Sequence, residues 1–241
     1  MTRSSPFVMV PGAWHGGWSW QPVARLLRAA GNEAVALTLP GLADGDDTVA
    51  PRPEDAVRHI VRRVERLDAE NVVLVAHSWG GYPVTNAAFA LGRRVAAVIY
   101  CNALLPAPGR STFDELLPEM QPGVRTLLDS PAHAWPIDFD FVRTYLLQGR
   151  SEDLQRLVAA LVTPMPGHYE TEPFDAPDLA SLGIPLLYLL STDDRALPRP
   201  GAEFAARLGM RPVMIPGPHD ALITHPEEVA RGIGDFVARH V

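Results

Sequence analysis

Ser78 lies in the segment of the chain that is best suited to nucleophilic chemistry. The apolar run 72–76 leads to this serine, and a segment with helical spacing, Tyr82–Leu91, follows it. Ala76 and Gly80 are small residues at the two positions where a larger side chain would collide with the neighbouring strand or helix. A strand, a sharp turn and a helix with a serine at the turn predict a nucleophile elbow, whose hydroxyl attacks a carbonyl carbon.

A serine hydroxyl is a weak nucleophile at neutral pH and needs a general base within hydrogen-bonding distance. His219 is the best placed of the eight histidines, because it follows the apolar run Pro212–Ile215 and a tight Pro-Gly-Pro loop. Such a loop lies at the sheet edge where Ser78 also emerges. We therefore predict that His219 is the base.

A carboxylate must hold the imidazole in the correct tautomer and stabilise its charged form. Asp193 and Asp194 both follow the strand-like run Ile184–Leu190. We favour Asp194, since it begins the segment Asp194–Pro198, and keep Asp193 as the alternative. The resulting order along the chain is nucleophile, acid, histidine, which is typical of enzymes with a nucleophile elbow.

The oxyanion of a tetrahedral intermediate needs hydrogen-bond donors that are already in place. The backbone N–H of Trp79, directly after the nucleophile, is one candidate. The loop 11–17, which follows the first predicted strand, is rich in glycine and lets the backbone approach a substrate closely. We predict that Ala13 in this loop supplies the second N–H.

The elements that position these residues alternate between strands and helices. Because the strands are apolar throughout, they predict an α/β fold with a doubly wound, mostly parallel sheet that is covered on both faces. The predicted strands are Phe7–Val10, Glu33–Leu39, Asn71–Ala76, Val95–Cys101, Ile184–Leu190 and Pro212–Ile215. The predicted helices of this core are Gln21–Ala30, Glu54–Leu67, Tyr82–Leu91, Gly201–Leu208 and Glu227–Val237.

One region interrupts this alternation. Residues 104–181 are rich in proline and show helical patches at Phe113–Leu117, Phe139–Gln148 and Glu152–Leu161, but no convincing core strand. We predict a core of residues 1–103 and 182–241 with a helical lid, 104–181, over the carboxyl edge of the sheet. A purely structural helical appendage is the alternative. The predicted substrate pocket comprises Gly12, Trp14, His15, Trp79, Phe113, Leu116, Phe139, Tyr145 and Met165.

Composition excludes several classes of function. The net charge of −7 gives no electrostatic footprint for a nucleic-acid partner. The chain contains no lysine, so Schiff-base chemistry, pyridoxal phosphate attachment and a P-loop are excluded. Cys101 is the single cysteine, so an internal disulfide and a zinc–thiolate cluster are excluded. The aspartates 44, 46 and 47 lack the later ligands of a calcium-binding loop. We expect no cofactor and no metal.

The same reasoning addresses location and partners. Residues 1–6 are polar, without the apolar stretch of a signal peptide, and no segment has the length and hydropathy of a membrane span. We therefore expect a cytoplasmic protein that binds a small-molecule substrate and no membrane. The sequence does not specify the oligomeric state.

The motifs at 7–20 and 76–81, with the insertion after Leu104, resemble a known family. Over its whole length the chain resembles the α/β-hydrolase superfamily, and within it the compact branch of methylesterases and hydroxynitrile lyases. The oxyanion loop of that branch usually begins His-Gly, whereas Pro11 and Gly12 stand here. Its lyases use a threonine in that loop and a lysine after the catalytic histidine, where this chain has Gly12 and Asp220. The resemblance therefore favours the esterase side.

Together these residues predict a serine hydrolase that cleaves a small, fairly apolar carboxylic ester through an acyl-enzyme. A lactone, a thioester or a C–C bond beside a carbonyl is open to the same machinery. The alternative from another class is a non-hydrolytic protein of this fold, either a ligand receptor or a catalyst of ring closure or proton transfer.

Overall fold

A six-stranded parallel sheet forms the centre of the computed structural model, which describes residues 5–241. In chain order the strands are β1 (Phe7–Val10), β2 (Ala34–Ala36), β3 (Val72–His77), β4 (Val95–Cys101), β5 (Ala134–Trp135), β6 (Met165–Pro166), β7 (Leu186–Ser191) and β8 (Val213–Ile215). The sheet has the order β2-β1-β3-β4-β7-β8, and every neighbouring pair is parallel. All carboxyl ends therefore meet at one edge, as predicted. The polar stretch predicted at the N-terminus lies outside the described residues for positions 1–4.

Helices cover both faces of this sheet, because alternate side chains of a buried strand point to opposite sides. Val8 and Leu74 pack on one face with the helices 53–65, 81–91 and 201–206. Met9 and Val75 pack on the other face with the helices 21–29 and 226–240. The helices are α1 (Gln21–Ala29), α2 (Pro53–Glu65), α3 (Gly81–Leu91), α4 (Gln121–Leu128), α5 (Phe139–Phe141), α6 (Glu152–Leu161), α7 (Gly167–Thr171), α8 (Gly201–Ala206), α9 (Ala221–Thr224) and α10 (Pro226–His240). The doubly wound arrangement is confirmed. Of the helices in residues 5–241, none combines the length and apolar character needed to cross a membrane.

The element bounds agree best in the core. Strands β1 and β4 match their predicted ranges, whereas the strand predicted at Glu33–Leu39 is reduced to β2. β2 is one of the two edge strands and pairs only with β1, and the chain then turns away towards Pro40. An edge strand forms backbone hydrogen bonds with one neighbour only. The apolar residues that follow Ala36 have no second strand to pair with, so they lie outside β2.

The segment 104–181 contains the largest differences from prediction. Helix α4 was not predicted, although Pro122 fits its first turn, where a missing N–H costs nothing. The patch at Phe113–Leu117 is only a 3₁₀ turn, Phe113–Glu115. β5 and β6 pair antiparallel as a two-residue ribbon outside the main sheet. Helix α6 matches its predicted range, and a π-helical turn, Val142–Leu146, extends α5.

The turn between β3 and α3 explains the need for small residues around Ser78. Ser78 has a positive φ of 51°, which is strained for a residue with a side chain. A Cβ added at Gly80 would meet the carbonyl oxygen of Pro11, and one added at Gly81 would meet that of Leu104. Both obstacles are backbone atoms, which cannot move aside as a flexible side chain can. The elbow therefore requires glycine at both positions.

We expect Gly81→Ala to destabilise the protein by about 1–3 kcal/mol, because the new methyl group overpacks against the Leu104 backbone. Urea unfolding of the purified variant measures this change. Gly123→Ala is the matched control, since Gly123 is an exposed helical glycine at which an added Cβ would meet nothing within 4 Å. Equal stability of Gly81→Ala and wild type would contradict the proposed packing.

Candidate active site

Ser78 and His219 meet at the carboxyl edge of the sheet. Ser78 follows β3 directly, and its side chain is almost buried, at 7% exposure. His219 lies in the loop after β8, and its Nε2 is 2.9 Å from Oγ of Ser78. This separation is a hydrogen-bonding distance, so a proton can pass from the hydroxyl to the imidazole.

The other imidazole nitrogen faces a carboxylate. Nδ1 of His219 lies 2.7 Å from Oδ2 of Asp194 in the loop after β7. The N–H groups of Ala196 and Leu197 donate to Oδ1 of Asp194 at 2.9 and 3.1 Å, which fixes the carboxylate. Asp193 is exposed, and its carboxylate accepts from Thr192 instead. The geometry therefore brings Asp194, and not Asp193, to His219.

This contact controls the charge of both partners. Burial by itself disfavours the charged imidazole, but the Asp194 carboxylate outweighs burial and raises the pKa of His219 above its usual value. Burial likewise opposes ionisation of Asp194, yet the imidazole and the two backbone N–H groups hold the pKa of this carboxyl below its usual range. The pair thus favours an ionised acid beside a base that readily accepts a proton.

The loop after β1 packs directly against Ser78. A Cβ added at Gly12 would lie 2.6 Å from Cβ and 3.2 Å from Oγ of Ser78, so only glycine fits there. Trp14 has a positive φ of 64°, which turns the loop sharply. Ala13 and Trp79, the predicted donors to an oxyanion, both line the cavity that contains Ser78.

This cavity, of about 190 Å³, extends from Ser78 and His219 under the segment 104–181. Of the side chains predicted to form the pocket, Trp14, Trp79, Leu116 and Tyr145 line it. Its other apolar walls were not predicted and include Leu104, Leu117, Met120, Trp135, Phe141 and Leu197. Thr112, Glu119, Glu170 and Arg195 contribute polar groups.

Five residues predicted for the pocket do not line its wall, and one of them, Gly12, packs against Ser78 instead. Phe113 and Phe139 lie beneath the guanidinium groups of Arg125 and Arg156, respectively. Met165 is fully buried in β6, and His15 belongs to a polar cluster behind His219. The helical periodicity of a short segment does not show which of its faces meets the cavity, and this explains the differences at Phe113 and Phe139.

That polar cluster was not predicted as a unit. Asp220 is fully buried, and its Oδ2 lies 3.2 Å from Nε2 of His15, whose Nδ1 donates to the carbonyl of Ala13 at 2.7 Å. Nε2 of His77 donates to the carbonyl of His219 at 3.2 Å and lies 3.7 Å from Asp220. The cluster therefore connects the β1 loop, the elbow and the loop that carries His219.

The ionisation of this cluster follows from its burial. Burial opposes a charge on Asp220, but His15 and then His77 hold the pKa of this carboxyl below its usual range. Burial, followed by repulsion from His219, lowers the pKa of His77 to about 3, so this ring is neutral at physiological pH. Asp220 is thus a buried anion that depends on His15.

Asn102 is a second residue that sequence reasoning missed. It follows β4 with a positive φ of 47°, and its Nδ2 donates to the carbonyl of His219 at 2.7 Å and to Ser191 Oγ at 2.8 Å. Its Oδ1 accepts from the N–H of Ser191 at 2.7 Å. A polar residue directly after a buried strand is the signal that could have revealed it.

His77, His219 and Asp220 also place one donor atom each within 4.8 Å of one another, a spacing that a metal ion could use. Both ring nitrogens of His219, however, are engaged by Ser78 and Asp194. A metal ion would have to displace one of these contacts. The cluster fits hydrogen bonding better than metal ligation.

The model of the alpha/beta hydrolase family matches residues 7–232. The chain belongs to the alpha/beta hydrolase family. The chain is 30% identical over 137 residues to the carbendazim hydrolyzing esterase of Nocardioides sp., a match that covers 55% of each chain. It is 33% identical over 114 residues to the alpha-hydroxynitrile lyase of Arabidopsis thaliana, covering 44% of this chain and 42% of the lyase. The chain thus matches about half the length of these curated relatives.

A solved structure has the same fold as this protein over nearly its whole length. An extracellular alpha/beta-hydrolase from a Paenibacillus species superposes with a TM-score of 0.88 and 23% identity, over 96% of this chain and 98% of that one. It is described as sharing structural and functional homology with tobacco salicylic acid binding protein 2. The predicted fold and the resemblance to the branch of esterases and hydroxynitrile lyases are confirmed.

We expect Asp220→Asn to destabilise the protein by roughly 2 kcal/mol near neutral pH, because it removes a buried charged hydrogen-bond partner of His15. The folded-state pKa of Asp220 lies below its unfolded value, so its contribution is complete above about pH 4 and is lost as the pH falls further. The difference in free energy of unfolding between wild type and Asp220→Asn should therefore become smaller at acidic pH. Urea unfolding at neutral and acidic pH measures it, with the exposed Asp193→Asn as control. A difference that is independent of pH would contradict the role of the Asp220 charge.

Proposed function

We propose that this alpha/beta hydrolase cleaves small, fairly apolar carboxylic esters with Ser78 as nucleophile, His219 as general base and acid, and Asp194 as the carboxylate that orients the imidazole. The continuous hydrogen-bonded chain from Ser78 Oγ through His219 to Asp194 carries this proposal. The esterase among the relatives supports the reaction class.

In the first half of the reaction, Nε2 of His219 takes the hydroxyl proton while Oγ of Ser78 attacks the ester carbonyl carbon. The carbonyl oxygen becomes an oxyanion, for which the N–H groups of Ala13 and Trp79 are the proposed donors. The bond from carbon to the alcohol oxygen then breaks, and His219 returns the proton to the departing alcohol. Ser78 is left acylated.

In the second half, His219 removes a proton from water, and the resulting hydroxide attacks the acyl carbon. A second tetrahedral intermediate collapses with cleavage of the bond to Ser78 Oγ, and the imidazolium gives its proton back to this oxygen. The products are a carboxylic acid and the free enzyme. Each step uses groups that the described residues contain, and none requires a cofactor.

The cavity supports a small substrate. A volume of about 190 Å³ with mostly aromatic and aliphatic walls is of the size that holds a six-membered ring. Residues 104–181 supply much of this wall, and we propose that they act as the lid of the site. The cytoplasmic location stays a prediction from the sequence, and the Paenibacillus neighbour is described as extracellular.

The structure favours ester hydrolysis over cyanohydrin cleavage. Asp220 occupies the position after His219 where the lyases of this branch are expected to carry lysine, and it is buried against His15. The chain has no lysine with which to hold a cyanide anion. Gly12, in place of a threonine, leaves no hydroxyl beside Ser78.

A fluorophosphonate probe should label wild-type protein, and Ser78→Ala should lose both labelling and hydrolysis, because the nucleophilic oxygen is gone. We expect the rate to fall on the order of 10⁶-fold, which leaves only the residual catalysis that binding and the oxyanion donors supply. The measurement combines probe labelling with hydrolysis of p-nitrophenyl, methyl and lactone substrates. Ser181→Ala, at an exposed serine, is the control. Folded wild-type protein that neither labels nor hydrolyses any of them would favour the receptor or proton-transfer alternatives.

The dependence of kcat/KM on pH tests the His219–Asp194 contact. The base must be neutral, so activity should rise with pH through the pKa of His219, which Asp194 raises. Asp194→Asn removes the carboxylate, so the acidic limb should move to lower pH while the plateau falls on the order of 10⁴-fold. Asp193→Asn should change neither the position of the acidic limb nor the plateau of kcat/KM. If Asp193→Asn shifted the acidic limb and lowered the plateau while Asp194→Asn changed neither, Asp193 would be the carboxylate that orients His219.

A further inference from the structure

Glu170 is a buried carboxyl group that the proposed reaction does not use. It lies in α7, is only 1% exposed, and lines the same cavity as Ser78 and His219. Its Oε2 has no hydrogen-bond partner among residues 5–241. A buried polar atom without a partner is costly, so its presence on the wall of a cavity points to a ligand.

The other buried carboxyl groups of the hydrolase are engaged. Asp194 contacts His219, and Asp220 contacts His15. Glu115, which precedes Glu170 in the same segment, accepts from Arg199 and Arg207 at 2.8 and 2.9 Å. Each of these carboxylates has a fixed protein partner that accounts for its burial. Glu170 is different because the cavity is what it faces.

The surroundings of Glu170 indicate an uncharged state. Burial raises its pKa to about 8, so the acid form predominates at neutral pH. An uncharged carboxyl group both donates and accepts hydrogen bonds, and it suits an uncharged partner that does the same.

We propose that Glu170 forms a polar subsite of the substrate cavity and binds an uncharged hydroxyl or amide group on the ring or chain of the ester. This inference rests on the proposed esterase function and specifies its substrate class. The aromatic and aliphatic walls hold the apolar part of the substrate, and Glu170 selects molecules that carry one hydrogen-bonding group besides the ester. Glu170 thereby determines specificity and takes no part in bond cleavage.

A matched pair of substrates tests the subsite. We expect wild type to prefer the methyl esters of 3- or 4-hydroxycyclohexanecarboxylic acid over that of cyclohexanecarboxylic acid, on the order of tenfold in kcat/KM and mainly through KM. Glu170→Leu should abolish this preference while it still hydrolyses the plain ester. Glu170→Gln should retain it, because an amide also donates and accepts. Glu203→Gln, at an exposed carboxylate, is the control.

An unchanged preference in Glu170→Leu, or the absence of any preference in wild type, would overturn the subsite. If both Glu170 variants lost the preference for the hydroxy esters, Glu170 would have to be charged, and the proposal of an uncharged carboxyl group would be overturned. Both variants should melt at or above the wild-type Tm, since each replaces an unpaired buried carboxyl group, and the isosteric glutamine variant keeps the test valid if leucine packs poorly.

A binding measurement separates this inference from the esterase proposal. In the Ser78→Ala background, calorimetry compares cyclohexanecarboxamide with its 3- and 4-hydroxy derivatives, which no hydrolysis consumes. Tighter binding of a hydroxy derivative that disappears in Ser78→Ala/Glu170→Leu supports the subsite even if no ester proves to be a substrate. Equal binding of all the amides would overturn the subsite while leaving ester hydrolysis intact.

Discussion

Four hydrogen bonds hold His219, two at its imidazole and two at its backbone carbonyl, and the proposed chemistry depends on this restraint. Ser78 and Asp194 engage its two ring nitrogens, while Asn102 and His77 both donate to its backbone carbonyl. These partners follow or end β3, β4 and β7, so they converge only because the parallel strands finish at one edge. A base that is fixed in this way loses little entropy when the reaction begins.

A layer of buried polar groups lies beneath the reacting atoms and has its own energetic requirement. Asp220 is stable as an anion in the interior only while His15 is close, because an isolated buried carboxylate would be protonated or would destabilise the fold. His15 in turn donates to the carbonyl of Ala13. The layer therefore connects the proposed oxyanion loop to the loop that carries His219.

The sequence was sufficient for the core, because buried parallel strands are continuous apolar runs and the elbow has a strict requirement for small residues. Ser78 and His219 follow such strands, and this placement alone predicted their proximity. The choice between Asp193 and Asp194 depended on loop conformation, which spacing does not determine. Asn102 was missed because a single asparagine after a strand is also an ordinary turn residue.

The segment 104–181 was less predictable for a physical reason. Its helices are short, so periodicity cannot show which face meets the cavity, and its position depends on long-range contacts such as the ion pairs of Glu115 with Arg199 and Arg207. These two arginines flank α8, which follows the segment 104–181 in the sequence. The residues that we propose to break bonds therefore belong to the core, while much of the cavity wall belongs to the segment 104–181. Substitutions in this segment can alter substrate choice without disturbing the hydrogen bonds of His219.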